Sequence, residues 1–198
     1  MKTLKKIFSW VLPIAMGLLI GLAVRQYFVS ASFIQGTSMQ PNLKNAEMVG
    51  VFKTLPIQRN SVIIFDAHGE DPESHKTPDY YVKRVIGLPG DTVSSNNGTI
   101  YVNNRPLNQD YISQAQRTTG TGNWDLQSLS LHWTRDQNST KVPQNKYFVL
   151  GDHRSVSNDS RYWGFVDKDK VQGVVKTAPF DKNADKVNDA TSLLANAN

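Results

Sequence analysis

The hydrophobic and polar positions of the chain follow two different patterns. From Ile7 to Val24 there is no charged residue. A helix of that length spans roughly 27 Å, close to the ~30 Å of a bilayer's hydrocarbon core. Pro13, Gly17 and Gly21 interrupt it, as membrane helices tolerate. Trp10 lies near one end, and Tyr27 and Phe28 lie past the other, where interfacial aromatics belong. The run has no polar face, unlike a surface helix of a soluble domain. It therefore predicts a transmembrane helix over 7–24. Lys2, Lys5 and Lys6 precede it, and only Arg25 follows before Lys44. That asymmetry places residues 1–6 in the cytoplasm and the rest outside. A cleaved leader is the competing reading, since Val29-Ser30-Ala31 resembles a small-residue cleavage site. The apolar run is, however, longer than a leader's usual 7–15 residues.

Beyond Ser38 there is hardly any helical periodicity. Short runs rich in Val, Ile, Phe and Tyr follow one another, bounded by turn residues. They cover Glu47–Phe52, Ser61–Asp66, Tyr80–Gly87, Thr99–Val102, Lys146–Leu150 and Val171–Lys176. Asn97-Gly98, between Asp91–Ser94 and Thr99–Val102, predicts a hairpin. Ala67–Asp79 reads as a polar loop and 113–140 as an irregular insertion holding two isolated tryptophans. Residues 181–198 read as a fraying polar tail. The fold class expected is mainly β: one anchoring helix, then an extracytoplasmic all-β domain over 25–180.

Composition narrows the chemistry. Hydrophobic residues make up 39% of the 198 and charged residues 20%, which a packed core permits and global disorder does not. There is no cysteine. A disulfide scaffold, a thiol nucleophile and a Cys-ligated metal are thereby excluded. The net charge of +5 suits an anionic membrane surface or nucleic acid.

Three polar segments carry candidate chemistry. In the first, Ser38 lies fourteen residues past the apolar run, with Gly36 before it and Pro41 after it. A glycine there lets the backbone turn tightly, so that its N–H could face a substrate carbonyl. In the second, Lys83 sits inside an apolar strand. Tyr81 and Val85 share its face by two-residue alternation, and Arg84 points the other way. Strand lysines are ordinarily exposed or snorkelling. A buried one loses hydration, its pKa falls, and once neutral it can take a proton from a hydroxyl. The third segment, Gly151–Gly164, packs three serines, two aspartates and two arginines into fourteen residues. Such density predicts either an ordered polar network or a solvated charged loop.

Taken together, the anchor and these motifs resemble the bacterial type I signal peptidases, the serine–lysine peptidases, and their Gram-positive members in particular. The motifs are Ser-Met-x-Pro-x-Leu at Ser38–Leu43, Tyr-x-Lys-Arg-x-x-Gly-x-Pro-Gly-Asp at Tyr81–Asp91, and Gly-Asp-x-Arg-x-x-Ser-x-Asp-Ser-Arg-x-x-Gly at Gly151–Gly164. The resemblance implies that Ser38 is the nucleophile and Lys83 the general base, with Ser157 orienting that lysine. It implies an oxyanion hole from the N–H groups of Ser38 and Gly36. It further implies structural ion pairs Asp159–Arg161 and Arg84–Asp152, and a pocket for small side chains formed by Ile34, Tyr81 and Val82. His153 departs from the family's usual asparagine and receives no catalytic role. No metal and no small-molecule cofactor are expected. The partners expected are signal-peptide-bearing preproteins and membrane lipid, not nucleic acid.

Three rivals remain at this stage. A self-cleaving serine–lysine repressor would need an N-terminal DNA-binding helix-turn-helix. A Ser–His–Asp hydrolase would use His68, His75, His132 or His153. An anchored adhesin or assembly subunit would make the Ser38/Lys83 pairing accidental.

Overall fold

The structure, a computed structural model, describes residues 2–189, with side chains from residue 10 onward. Residue 1 and residues 190–198, part of the expected N-terminus and tail, lie outside the described residues. Helix α1 runs from Lys2 to Tyr27 with Pro13 inside it. Its stretch Trp10–Tyr27 is long and apolar enough to cross a membrane, and none of it is buried against the protein. The helix thus extends the expected 7–24 span at both ends.

Among the described residues the rest is mostly antiparallel sheet, as the alternating runs predict. The strands are β1 (Val29–Phe33), β2 (Met48–Phe52), β3 (Val62–Asp66), β4 (Tyr80–Gly87), β5 (Val93–Asn96), β6 (Thr99–Val102), β7 (Arg105–Pro106), β8 (Trp124–Asp125), β9 (Lys146–Leu150), β10 (Val166–Asp167) and β11 (Val171–Lys176). The larger sheet has the order β1-β2-β11-β3-β4-β9-β10, and the smaller β7-β6-β5-β8. Asn97 and Gly98 join β5 to β6 with φ of 49° and 79°, the left-handed pair that a type I′ turn requires.

Strand β4 organises the larger sheet. It pairs with β3 along Tyr80–Arg84, Lys83 lying opposite Ile63. On its other edge β9 pairs only from Arg84 onward. Tyr80–Lys83 therefore has one edge free of any strand. Tyr81 and Val85 pack with Phe65, Val149 and Trp163 on one face, while Val82 joins Ile34, Met39 and Leu43 on the other.

Three stretches differ from the expectation. Val29–Phe33, read partly as a cleavage-like site, is a strand paired residue by residue with Met48–Phe52. Ser30, Ala31 and Ser32 carry little strand signal of their own, so the pairing decides. α1 runs into this strand almost without a break: Lys53 N–H donates to Phe28 O at 2.9 Å, and Lys53 Nζ donates to Gln26 O at 2.7 Å. Next, the two tryptophans of the insertion are not isolated. Trp133 is buried with its ring centroid 5.0 Å from Phe165, and Trp124 lies 5.5 Å from Phe148. Both pack with Leu126 of α3 (Leu126–Ser130) in the cluster that holds Phe148 and Phe165; the other short helices of this part are α2 (Gln114–Thr118) and α4 (Ser160–Trp163).

The third difference is at the C-terminal side. Residues 184–188, expected to fray, form helix α5 (Ala184–Asn188) with Ala184 and Val187 buried. Val187 packs into the cluster that holds Ile34 and Met39. Burial of one valine outweighs the polar composition around it. Val187→Ala should therefore destabilise the full chain by roughly 2 kcal/mol, read as a lower denaturation midpoint in detergent; an unchanged midpoint would mean that α5 does not belong to the folded unit.

Candidate active site

Ser38 stands on a turn just after β1. Met39 and Leu43, both buried, anchor that turn in the core, and the Gln40–Pro41 peptide bond within it is cis. The apolar anchors pull the chain inward on the far side of the turn and leave the Ser38 side chain half-exposed at the edge of a cleft. The cleft holds about 610 Å³, and Ile34, Tyr81, Val82, Lys83 and Asn158 are among its lining residues. Ile34, Tyr81 and Val82, expected to shape a pocket for small side chains, thus all border the space beside Ser38.

Lys83 reaches Ser38 from β4. Its Nζ lies 3.0 Å from Ser38 Oγ, and the residue is only 4% exposed. The ring of Tyr81, on the same strand face, lies with its centroid 5.2 Å from Nζ. Loss of hydration lowers the lysine's pKa from 10.5 to about 8, against the opposing pull of the carboxylates of Asp159, Asp71 and Asp152. At about 1.4 kcal/mol per unit, that drop corresponds to roughly 3 kcal/mol of differential destabilisation of the charged amine. A hydroxyl and an amine of lowered basicity are thus in hydrogen-bond contact at the floor of a cleft.

The third segment braces this pair from behind. His153 N–H donates to Ser38 O at 3.0 Å. Asp159 Oδ2 accepts from Gly151 N–H at 3.0 Å, and Asp159 takes Arg161 bidentately at 2.8 and 3.0 Å. Asp159 and Arg161 are both buried, so the segment is an ordered network and not a solvated loop. Asp152 is also buried. It receives Arg84 Nε at 2.8 Å and Nη2 at 2.7 Å, the second expected ion pair. On β4, then, Arg84 keeps its charge by pairing on one face, and Lys83 on the other face has Ser38 as its hydrogen-bond partner.

Two expected contacts are not made. Gly36 lines the cleft with a φ of +86°, but its N–H already donates to Asn45 Oδ1 at 2.9 Å. It is spoken for as an oxyanion donor, because a nearer acceptor side chain in the same loop takes it. Among the described residues no acceptor takes the N–H of Ser38. Ser157 is buried, but its hydroxyl makes no hydrogen bond, including none to Lys83. Its side chain is pressed against Gly151: a Cβ built there would come within 2.1 Å of Ser157 Oγ and 2.6 Å of Ser38 O.

The histidines stay away from the Ser38 hydroxyl. His75 and His132 are exposed, His68 Nδ1 sits 3.3 Å from Ser74 O, and His153 meets Ser38 through backbone alone while its Nδ1 makes no hydrogen bond. Sequence reasoning passed over Asn42, Asn45 and Asp71. Asn42 Nδ2 donates to Asp152 Oδ2 and to Tyr111 O, each at 2.8 Å, across separations no local pattern reveals.

An antiparallel β domain with a serine hydroxyl against a buried amine at the floor of a cleft defines a class, that of the β-sheet serine endopeptidases. The chain belongs to the family "Signal peptidase, peptidase S26", whose profile matches residues 7–179. It is 36% identical over 179 residues to signal peptidase IB of Staphylococcus aureus (strain COL), covering 86% of this chain and 88% of that protein. It is 34% identical over 182 residues to signal peptidase I of Bacillus licheniformis, covering 89% and 90%. The crystal structure of a signal peptidase I from Enterococcus faecalis V583 superposes with a TM-score of 0.50 and 36% identity, over 61% of this chain and 97% of that one. The activity that goes with the family is cleavage of signal peptides from preproteins.

The packing around Gly151 has a direct consequence. Gly151→Ala would drive a methyl group into Ser38 O and Ser157 and displace the backbone of Ser38. A misplacement of about 1 Å costs on the order of a hundredfold in rate. Preprotein cleavage by the purified full chain should fall by about that much; retention of most activity would mean that the third segment does not hold Ser38 in place.

Proposed function

We propose that this protein is a membrane-tethered endopeptidase that removes N-terminal signal peptides after small residues, with Ser38 as nucleophile and Lys83 as general base. The observation that carries the reading is the 3.0 Å contact between Ser38 Oγ and a buried Lys83 Nζ. α1 is the tether, its lysine-rich start is cytoplasmic, and the β domain stands on the extracytoplasmic face. A substrate laid in the cleft finds the free edge of Tyr80–Lys83 beside it. An extended backbone can satisfy its hydrogen bonds there, as in strand addition, while Ile34, Tyr81 and Val82 restrict the side chains that fit.

The chemistry runs in two balanced halves. Ser38 Oγ attacks the carbonyl carbon of the residue before the cut, and its proton passes to neutral Lys83. The negative oxygen that develops faces the free N–H of Ser38. Collapse breaks the C–N bond, and Lys83 returns the proton to the leaving amine. The acyl-enzyme is then attacked by a water that gives a proton to Lys83, and that proton returns to Ser38 as the signal peptide leaves.

Ser38→Ala and Lys83→Ala should each lower kcat/KM roughly 10³-fold or more, with the double variant little worse than either, because the two groups act as a unit. Folded Lys83→Ala protein with near-normal cleavage would sink the dyad.

The protonation state gives an independent check. With a pKa of about 8, about one molecule in eleven carries a neutral Lys83 at pH 7, against about one in three thousand at 10.5. The neutral amine is the working form, so kcat/KM should rise about tenfold per pH unit below 8 and level off above it. A limb near 6.5 that disappears on replacing one histidine would assign the base to that histidine instead.

A further inference from the structure

The loop between β3 and β4, polar in sequence, hides a carboxylate that the mechanism above does not use. Asp71 is 2% exposed. Its Oδ2 accepts from Tyr81 OH at 3.1 Å and from Asn158 Nδ2 at 2.7 Å. Its Oδ1 accepts from Glu73 N–H at 2.9 Å, and its own N–H donates to Ala67 O at 3.0 Å. Tyr81 lies on β4, and Asn158 stands between Ser157 and Asp159 on the third segment. Both line the cleft. One carboxylate thus ties the two walls of the cleft together, and the Tyr81 ring it holds is the one beside Lys83 Nζ.

We propose that Asp71 is a positioning residue: through Tyr81 and Asn158 it sets the width of the pocket for the residue before the cut and holds the Tyr81 ring against Lys83. The proposal rests on the function given above and names what makes that site selective. A tyrosine ring turns about two bonds, and Phe65 packs edge-on against it, 6.2 Å away between centroids. The hydroxyl at its far end is fixed by Asp71. Without that anchor the ring can swing, and a bulkier side chain can enter.

Asp71 also differs from its acidic neighbours in what balances it. The carboxylates acting on Lys83 are Asp159, Asp71 and Asp152. Asp159 is paired with Arg161 and Asp152 with Arg84. Asp71 has only neutral donors among the described residues. Asp79 and Glu73, from the same loop, act on Tyr81, and Lys76 and Asp79 line the cleft. Removing the Asp71 charge therefore removes the least neutralised of the three negative charges on the amine. A neutral residue there favours the free amine still further.

The test compares wild-type, Asp71→Asn and Tyr81→Phe full-length protein on two preproteins that carry Ala or Val before the cut. Wild type should prefer Ala. In Asp71→Asn the Ala/Val ratio of kcat/KM should fall about tenfold, and the acid limb of the pH profile should move to lower pH. In Tyr81→Phe the ratio should fall similarly with the limb in place, since the carboxylate's charge remains. This variant also serves if Asp71→Asn does not fold. A uniform loss of kcat/KM in Asp71→Asn, with ratio and limb at wild-type values, would overturn the proposal, as would an unchanged ratio in Tyr81→Phe. If wild type cleaves neither preprotein, the function fails separately. The ¹⁵N titration of the Lys83 amine then decides: a midpoint lower in Asp71→Asn than in wild type supports the link to the amine, and an unmoved one overturns it.

Discussion

The structure depends on one buried carboxylate, that of Asp152. It takes two hydrogen bonds from Arg84 and one from Asn42, and so joins the Ser38 turn, the Lys83 strand and the loop behind them. Burying an ion pair is costly, and geometry with satisfied lone pairs is what offsets the cost. Here the guanidinium also donates to Asn60 O at 2.9 Å and stacks 4.0 Å from the Tyr111 ring centroid. Because side chains alternate along a strand, fixing Arg84 on one face of β4 fixes the direction of Lys83 on the other. The pair thereby helps decide where the amine stands.

The two adjacent cations of β4 illustrate how context separates like charges. Arginine holds its proton under almost any burial and offers a planar fork to a carboxylate. Lysine has a compact charge that depends on hydration, and burial weakens it. Asp159, Asp71 and Asp152 keep the decline moderate. An amine with a pKa near the working pH is free often enough to accept a proton and basic enough to hold one. Two opposed effects act on Lys83, loss of hydration on burial and the negative charge of nearby carboxylates.

Much of this was legible in the chain. β4, β6, β9 and β11 match their predicted bounds residue for residue, because bulky residues between clear turn signals leave little choice. Ser38 and Lys83 stood out through their surrounding motifs. What escaped notice was decided by tertiary contact. β1 is built on small residues and exists by pairing with β2. α5 is held by Val187 against a core most of whose residues lie more than a hundred positions earlier. Gly36 was expected to serve the cleft, and only the fold brings Asn45 to its N–H. Ser157 was expected to touch the lysine and instead packs its side chain against Gly151. Asp71 looked like one more acid in a polar loop, and its burial shows only once the loop closes over Tyr81 and Asn158.

The joint between α1 and β1 has a mechanical meaning. A single residue, Phe28, separates helix from strand, and Lys53 ties the two from the side. There is no slack to absorb rotation. With α1 seated in a bilayer, any change in its tilt must swing the sheet and carry the cleft with it. Helices answer a thicker or thinner bilayer by tilting. If α1 spans a bilayer as proposed above, the thickness of the surrounding lipid becomes a setting on how the cleft is aimed, a dependence that a flexible linker of the same length would erase.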